Sequence, residues 1–364
     1  MRLRSLTMTA VAAGLATVVA GWIAMPSALH LSDARTGDPA IADRLAGLAS
    51  GQGHHELSAA VITPEGTRFA GLGADERTEM EIGSITKTMT SLLLAQAAED
   101  EVLRVDDPAG EYLDLGAQTF TLEDLATHRS GLPRLEPGFR SFLAGYWAQL
   151  RAGDPYTNDV DQLVTAAREA GVSDVGTVSY SNLGVSTLGQ AVAAARGETY
   201  RELVEHDVFD ALEMGETSLP ETPENLADDA PRGHTASGRT AQPWTLHAEA
   251  PAGGVRSTAS DMARYAEALM ADDPALGVPA ATLLDPRFDA GDGESIGLAW
   301  FTSEFDGRQV TWHNGGTGGY SSMLAIDREA GTAVYLVGDT TASVDAIALE
   351  LLSETTAAAT EGSE

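Results

Sequence analysis

The chain has 364 residues, 43% of them apolar, with a formal net charge of −32 and an isoelectric point near 4.4. That is enough apolar material for one large domain or two smaller ones, while a surface this acidic repels nucleic acid and anionic lipid. Cysteine is absent, which removes disulfide frameworks, thiolate metal sites and cysteine nucleophiles together.

Arg2 and Arg4 open the sequence, and no Asp, Glu, Lys or Arg occurs from Ser5 to Ser32, where residues 6–25 are mostly apolar. Residues 1–34 therefore read either as an export signal, cleaved after Pro26-Ser27-Ala28 or Ser32-Asp33-Ala34, or as a single N-terminal membrane anchor. Both readings keep Arg2 and Arg4 inside and place the rest of the chain outside the cytoplasm, secreted or anchored. Residues 40–49 have helical apolar spacing. Residues 57–63 and 67–72 read as two strands joined by the turn Pro64-Glu65-Gly66. Residues 85–99 form a helix that is apolar on nearly every face. Thr121 caps a further helix, which Ser130-Gly131-Leu132-Pro133 ends.

Residues 139–150, 160–170 and 185–195 are further helices. The Pro-, Gly-, Ala- and Thr-rich stretch 218–256 is long for a loop; it either covers a site or is a mobile surface excursion. Residues 260–270 are helical, and strands follow at 296–302, 309–313, 320–326 and 332–337. Residues 344–352 close the fold as a helix, and 353–364 read as a flexible, frayed tail. Strands at both ends with helices between them imply an α/β (α+β) fold. One antiparallel sheet is built from residues 35–105 and 235–352 and flanked by helices, and an all-helical part, 106–234, is inserted into it.

Of the 22 Lys plus Arg residues only Lys87 is lysine. Arginine stays charged at any relevant pH, whereas a buried lysine gives up its proton, so a site needing a neutral amine accepts only the latter. Lys87 stands three residues after Ser84, in Gly83-Ser84-Ile85-Thr86-Lys87. If Ser84 opens the apolar helix, both side chains share one face, with Ser84 where free backbone N–H groups and the helix dipole favour negative charge. A serine hydroxyl needs a neighbour to take its proton, and a lysine with a lowered pKa does so. The bland alternative is a capping serine before a surface lysine.

Tyr180-Ser181-Asn182 precedes another apolar helix: a Tyr hydroxyl near a Lys ammonium has its pKa lowered and shuttles protons, and an Asn amide orients the Lys and a substrate amide. Alone, the pair reads rather as a half-buried Tyr and a capping Asn. His313-Asn314-Gly315-Gly316 ends a strand, and its glycines let a substrate backbone approach closely. His128 reads as turn chemistry, because no partner carboxylate is suggested. His54-His55-Glu56 lacks the spacing of a zinc-protease helix, and no nucleophile elbow or phosphate loop is present. No cofactor and no metal is called for.

Together these stretches resemble the serine β-lactamase and penicillin-binding protein superfamily, in the branch that holds class C β-lactamases, D-alanyl-D-alanine carboxypeptidases and related esterases. The resemblance runs in order through Glu81 to Thr88, Thr121 to Pro133, Ser179 to Gly184, Ala252 to Ala263 and His313 to Ser321, and covers residues 40 to 350. It implies the β-lactamase/transpeptidase-like architecture. It also implies that Ser84 is acylated, that Lys87 and Tyr180 manage its proton, and that Asn182 holds the substrate amide or ester. His313, Asn314 and Gly315 would line the cleft, and the amides of Ser84 and Gly316 would form the oxyanion hole. One departure matters: class C β-lactamases carry Lys-Thr-Gly where this chain has His-Asn-Gly. A neutral His attracts a substrate carboxylate less than an ammonium, so D-amino-acid peptides and esters are expected ahead of β-lactams. The partners expected are a small molecule or peptidoglycan-type substrate. The rival expectation is a penicillin- or peptidoglycan-binding sensor without turnover, or a cell-surface binding domain.

Overall fold

The computed structural model describes residues 29–136 and 151–361. Within them the strands are β1 (Arg35–Gly37), β2 (Leu57–Thr63), β3 (Gly66–Leu72), β4 (Met80–Glu81), β5 (Arg256–Ser257), β6 (Phe288–Gly291), β7 (Glu294–Ile296), β8 (Phe301–Phe305), β9 (Arg308–Gly316), β10 (Ser321–Asp327) and β11 (Thr332–Gly338). Nine of these form one antiparallel sheet in the order β1-β3-β2-β11-β10-β9-β8-β7-β6, so strands from both ends of the chain meet at the β2–β11 pair. β4 and β5 pair with each other apart from this sheet. The helices are α1 (Pro39–Ala49), α2 (Thr86–Glu99), α3 (Leu122–Ala126), α4 (Val160–Glu169), α5 (Asn182–Arg196), α6 (Tyr200–Val204), α7 (Ala259–Ala271), α8 (Ala280–Leu284) and α9 (Asp345–Glu361).

Period-two alternation gives the central strands two apolar faces. Ala59 and Val61 of β2, Met323 and Ala325 of β10, and Val334 and Leu336 of β11 pack with Leu45 of α1 and Ile347 and Leu351 of α9. Their neighbours Ala60, Ile62, Leu324, Ile326, Tyr335 and Val337 join the opposite core with Leu92 of α2, Leu188 of α5 and Met262 of α7. Each fully buried Leu or Ile in these layers contributes about 1.5–3 kcal/mol relative to exposure. The helical segment between β3 and β5 shares this second core, through Leu125, Leu163 and Val204.

Helix α2 lies within that core, and every residue from Thr86 to Ala97 is buried. Its polar side chains bond locally: Thr86 Oγ1 donates to the Gly83 carbonyl and Thr88 Oγ1 to the Ile85 carbonyl, both at 2.7 Å.

Three expectations need correction. The tail is not frayed as far as Glu361, because α9 continues through an Ala-rich stretch whose buried Thr356 shares a hydrogen bond with Thr332 on β11. Residues 296–302 are not one strand. Ala299 turns at φ +66, Leu298 N–H donates to the Leu283 carbonyl, and the chain doubles back from β7 into β8. The stretch 218–256 is tied down by its own short helices and by the bridge between Ser218 and Arg256. The expected helix at 139–150 and most of the N-terminal segment lie outside the described residues. Among the described residues no helix is long and apolar enough to cross a membrane.

Candidate active site

Gly83 to Ile85 form a single tight turn that feeds directly into α2, with Gly83 at φ +53, in the left-handed region that favours glycine. Its missing side chain also makes room: a Cβ there would sit 2.6 Å from the Gly316 nitrogen. A Cβ on Gly315 would sit 2.0 Å from the Ile82 carbonyl, which accepts a 2.7 Å bond from Ser322 Oγ. The end of β9 thus packs backbone against backbone on the turn that carries Ser84, and Gly316 is brought beside it. Side chains larger than hydrogen would force the two apart.

Lys87, one turn on, is completely buried, and its Nζ lies 2.9 Å from Ser84 Oγ. The same nitrogen donates to the Ala252 carbonyl and has no carboxylate partner among the described residues. Burial, with Arg134 nearby as the second cause, holds the Lys87 amine well below its usual range. Tyr180 lies across the cleft. Its hydroxyl is in hydrogen-bonding reach of Ser84, and its ring centroid is 5.0 Å from Lys87 Nζ. Burial pushes the phenol up to about 12, outweighing the opposing effects of that hydrogen bond and of Arg134. This reverses the expectation of a lowered Tyr180 pKa, because burial of the phenol outweighs its neighbours. Burial thus favours an uncharged amine and an intact phenol around the Ser84 hydroxyl.

Two buried histidines complete the wall. His313 Nδ1 is 2.6 Å from the Asn314 carbonyl oxygen, and His128 Nδ1 lies 3.2 Å from the Ser181 amide. These partners assign the proton to Nδ1 in His313 and to Nε2 in His128. Burial is the leading cause that lowers both, His313 to about 3 and His128 well below its usual value, with Lys87 as the next cause in each. His128 is at a left-handed turn, at φ +58, and does more than turn the chain. Its ring centroid is 4.4 Å from that of Tyr180, and its carbonyl accepts the Ser179 N–H, so it seats the Tyr180 loop from both sides.

The remaining residues divide. Asn182 is the first residue of α5, where Ser181 caps the helix by accepting from the Gly184 amide. Asn182 Nδ2 donates to the Tyr156 hydroxyl at 3.1 Å, and its buried Oδ1 has no partner among the described residues. Asn314 departs from its expected place in the cleft. Alternation along β9 turns its side chain away from His313, and Nδ2 donates to Asp345 at the start of α9.

Reasoning from sequence missed Tyr156, Arg134, Glu249 and the Ala252 carbonyl. The first three carried no spacing signal, and the last acts through the backbone. Glu249 lies on the short helix His247–Ala252 that presents Ala252 to Lys87. Asn158 Nδ2 donates to its Oε1 at 2.7 Å, Oε2 has no partner among the described residues, and burial pushes the carboxyl up to about 7. An acid raised in the folded state contributes stability that is present below its unfolded pKa and is lost as pH rises through the folded one. Glu249→Gln is therefore expected to stabilise the protein at pH 8, by up to about 3 kcal/mol, with little effect at pH 4. Denaturant unfolding at both pH values measures the difference, and an equal change at both would contradict the assignment.

The family model described as Beta-lactamase matches residues 32–353. Among curated proteins, the D-alanyl-D-alanine-carboxypeptidase/endopeptidase AmpH of Escherichia coli (strain K12) is 28% identical over 283 residues, covering 71% of this chain and 70% of that protein. A beta-lactamase of Pseudomonas fluorescens is 27% identical over 242 residues, covering 62% of this chain and 60% of that one. Among solved structures, the D-alanine carboxypeptidase AmpC from Burkholderia cenocepacia superposes with a TM-score of 0.73 at 20% identity, covering 87% of this chain and 97% of that one. A class C beta lactamase from Rhodobacter sphaeroides superposes with a TM-score of 0.72 at 21% identity, covering 88% and 99%. At these identities the structures speak for the fold.

Proposed function

This chain belongs to the beta-lactamase family, and from that membership we propose that it is an exported serine hydrolase that cleaves D-amino-acid peptides through an acyl-enzyme on Ser84. The observation that carries the reading is the 2.9 Å approach of Ser84 Oγ to the amine of a fully buried Lys87. Lys87 accepts the Ser84 proton as Oγ attacks the substrate carbonyl, and the oxyanion is held by the amides of Ser84 and Gly316. Collapse of the tetrahedral adduct breaks the bond to the leaving amine, which takes a proton through Tyr180. Asn182 orients the substrate amide. Water then attacks the ester, with the same groups carrying the proton in reverse, and Ser84 is restored.

The substrate order is D-amino-acid peptide, ester, then β-lactam. A neutral His313 offers no charge to a substrate carboxylate, but the Arg134 guanidinium is exposed 5.0 Å from the Tyr180 ring centroid and has no ion-pair partner among the described residues. It is a cation available for a C-terminal carboxylate at this mouth. Arg134→Ala is expected to raise KM about tenfold, ~1.4 kcal/mol, for a carboxylate-bearing peptide. It is expected to leave a neutral ester unaffected. Equal losses on both substrates would exclude this role. The export reading rests on the basic start at Arg2 and Arg4 and the uncharged run behind it.

The deciding experiment is intact-mass spectrometry of the full chain mixed with a D-alanyl-D-alanine-terminated peptide, or with benzylpenicillin, followed by peptide mapping. A transient adduct on Ser84 with release of D-alanine is expected. A stable adduct without turnover would favour a sensor, and no adduct with either reagent would overturn the hydrolase reading.

A further inference from the structure

Two of the chain's eight histidines, His55 and His234, meet at one point though far apart in sequence, and the mechanism above uses neither of them. The fold dictates the meeting. β2 and β11 pair antiparallel with Leu57 opposite Gly338, so the residues just before β2 and just after β11 emerge at the same end of the sheet. There Asp339 Oδ1 accepts the Glu56 amide at 2.7 Å, and Oδ2 lies 2.7 Å from His55 Nδ1. His234 arrives from the stretch 218–256. Its amide donates to the carbonyls of Gly319 and Asp339, and its Nδ1 lies 3.2 Å from the same Asp339 Oδ2.

Charge makes this cluster unusual. The Asp339 side chain is nearly buried, and its only ion-pair partners among the described residues are these two imidazoles; no arginine reaches it. Glu56, next to His55 in sequence, adds a second acid. His54 is 2% exposed, and both of its ring nitrogens lack a partner among the described residues. Two acids and two convergent imidazoles make a site short of positive charge.

We propose that His55, His234 and Asp339 bind a zinc ion that fastens the 218–256 stretch to the end of the sheet. One ligand atom from each lies within 4.8 Å of the others. Tetrahedral zinc with bonds near 2.1 Å sets its ligands about 3.4 Å apart, so relative shifts of tenths of an ångström to about 1.5 Å suffice. Imidazole nitrogen with one carboxylate suits zinc over calcium or magnesium, which prefer all-oxygen sets. The role is structural: the stretch that His234 anchors also carries Ala252 and Trp244, whose amide donates to Glu81. Zinc there lends rigidity to the cleft wall without joining the chemistry, and it takes the place of the disulfides this chain lacks.

The test titrates chelator-treated full-length protein with zinc chloride, reading bound metal by mass spectrometry of the native protein and the thermal midpoint in parallel. One tightly held equivalent and a raised midpoint are expected, with no midpoint change on calcium. His234→Asn and Asp339→Asn are each expected to weaken zinc binding more than tenfold while retaining the wild-type circular dichroism. Zinc-edge X-ray absorption of the wild type reads the ligands directly and does not depend on a variant folding: two imidazoles in the shell are expected. Zinc uptake unchanged in both variants, a spectrum with fewer than two imidazoles, or no zinc bound would each leave a hydrogen-bonded cluster only and overturn the proposal.

Discussion

Lys87→Arg and Ser84→Ala are each expected to lower kcat/KM by at least about 10³-fold, the scale of losing a general base or a nucleophile. The arginine variant is the more informative. It keeps a cation of similar reach, so a role for Lys87 as a mere positive charge predicts retained activity. A role as a base predicts its loss, because guanidinium does not give up its proton. Burial with no carboxylate at hand is what sets the amine free to act. The pH profile follows from the same cause. Activity falls as pH drops through the lowered Lys87 pKa, well below the ordinary lysine range, and Tyr180 sets the alkaline limb near 12.

Stability follows the opposite logic. In the folded protein burial favours the uncharged form of Lys87, while in the unfolded chain it is protonated below about 10.4. The unfolded state binds the extra proton between those two values, so stability rises with pH across that window. Lys87→Met, which keeps the volume and removes the titration, is expected to flatten that slope and to be more stable than wild type at neutral pH while inactive. Denaturant melts and initial rates on the same preparations check both halves. An active Lys87→Arg enzyme would remove Lys87 as the base.

How much of this was legible in the sequence depends on the kind of signal. Strands β2, β3, β10 and β11 were readable because each lies in an apolar run bounded by turn residues, as at Pro64-Glu65-Gly66. The join between chain ends followed from their position alone. The β7–β8 reversal was not readable, because Ile296 to Trp300 is apolar through a turn that is itself buried, so hydrophobicity carried no break. The α9 extension was hidden because Ala and Thr are weak markers without the Thr332 contact.

At the site, Ser84 and Lys87 announced themselves by spacing and by the scarcity of lysine, and the structure sets them 2.9 Å apart. Asn314 misled, since a motif read as a string ignores that neighbours on a strand face opposite ways. His128 looked like punctuation because its partners, Ser181 and the Tyr180 ring, are more than fifty residues away in sequence.

The largest expected stability effect lies beside the nucleophile, at Arg256. Its guanidinium is fully buried, donates to Glu79, to Glu81 Oε1 at 2.9 Å and to the Pro231 carbonyl at 2.8 Å, and stands on β5 against β4. Glu81 is 3% exposed, and burial raises its carboxyl pKa despite Arg256. Arg256→Met leaves that acid without its cation, which costs about 3–5 kcal/mol when one partner of a buried pair is removed. Because Glu81 is two residues before Gly83, the damage is also expected to reach Ser84 and reduce kcat. The double variant Arg256→Met/Glu81→Gln removes the stranded charge and keeps an acceptor for the Trp244 amide. It is expected to regain most of the lost stability, since the penalty belongs to the unpaired acid rather than to the missing contacts. Urea unfolding of the wild type, both single variants and the double closes the cycle. A single Arg256→Met variant within about 1 kcal/mol of wild type would mean that Glu81 is already protonated in the native protein, and the pair would then hold the β4–β5 pairing by shape rather than by charge.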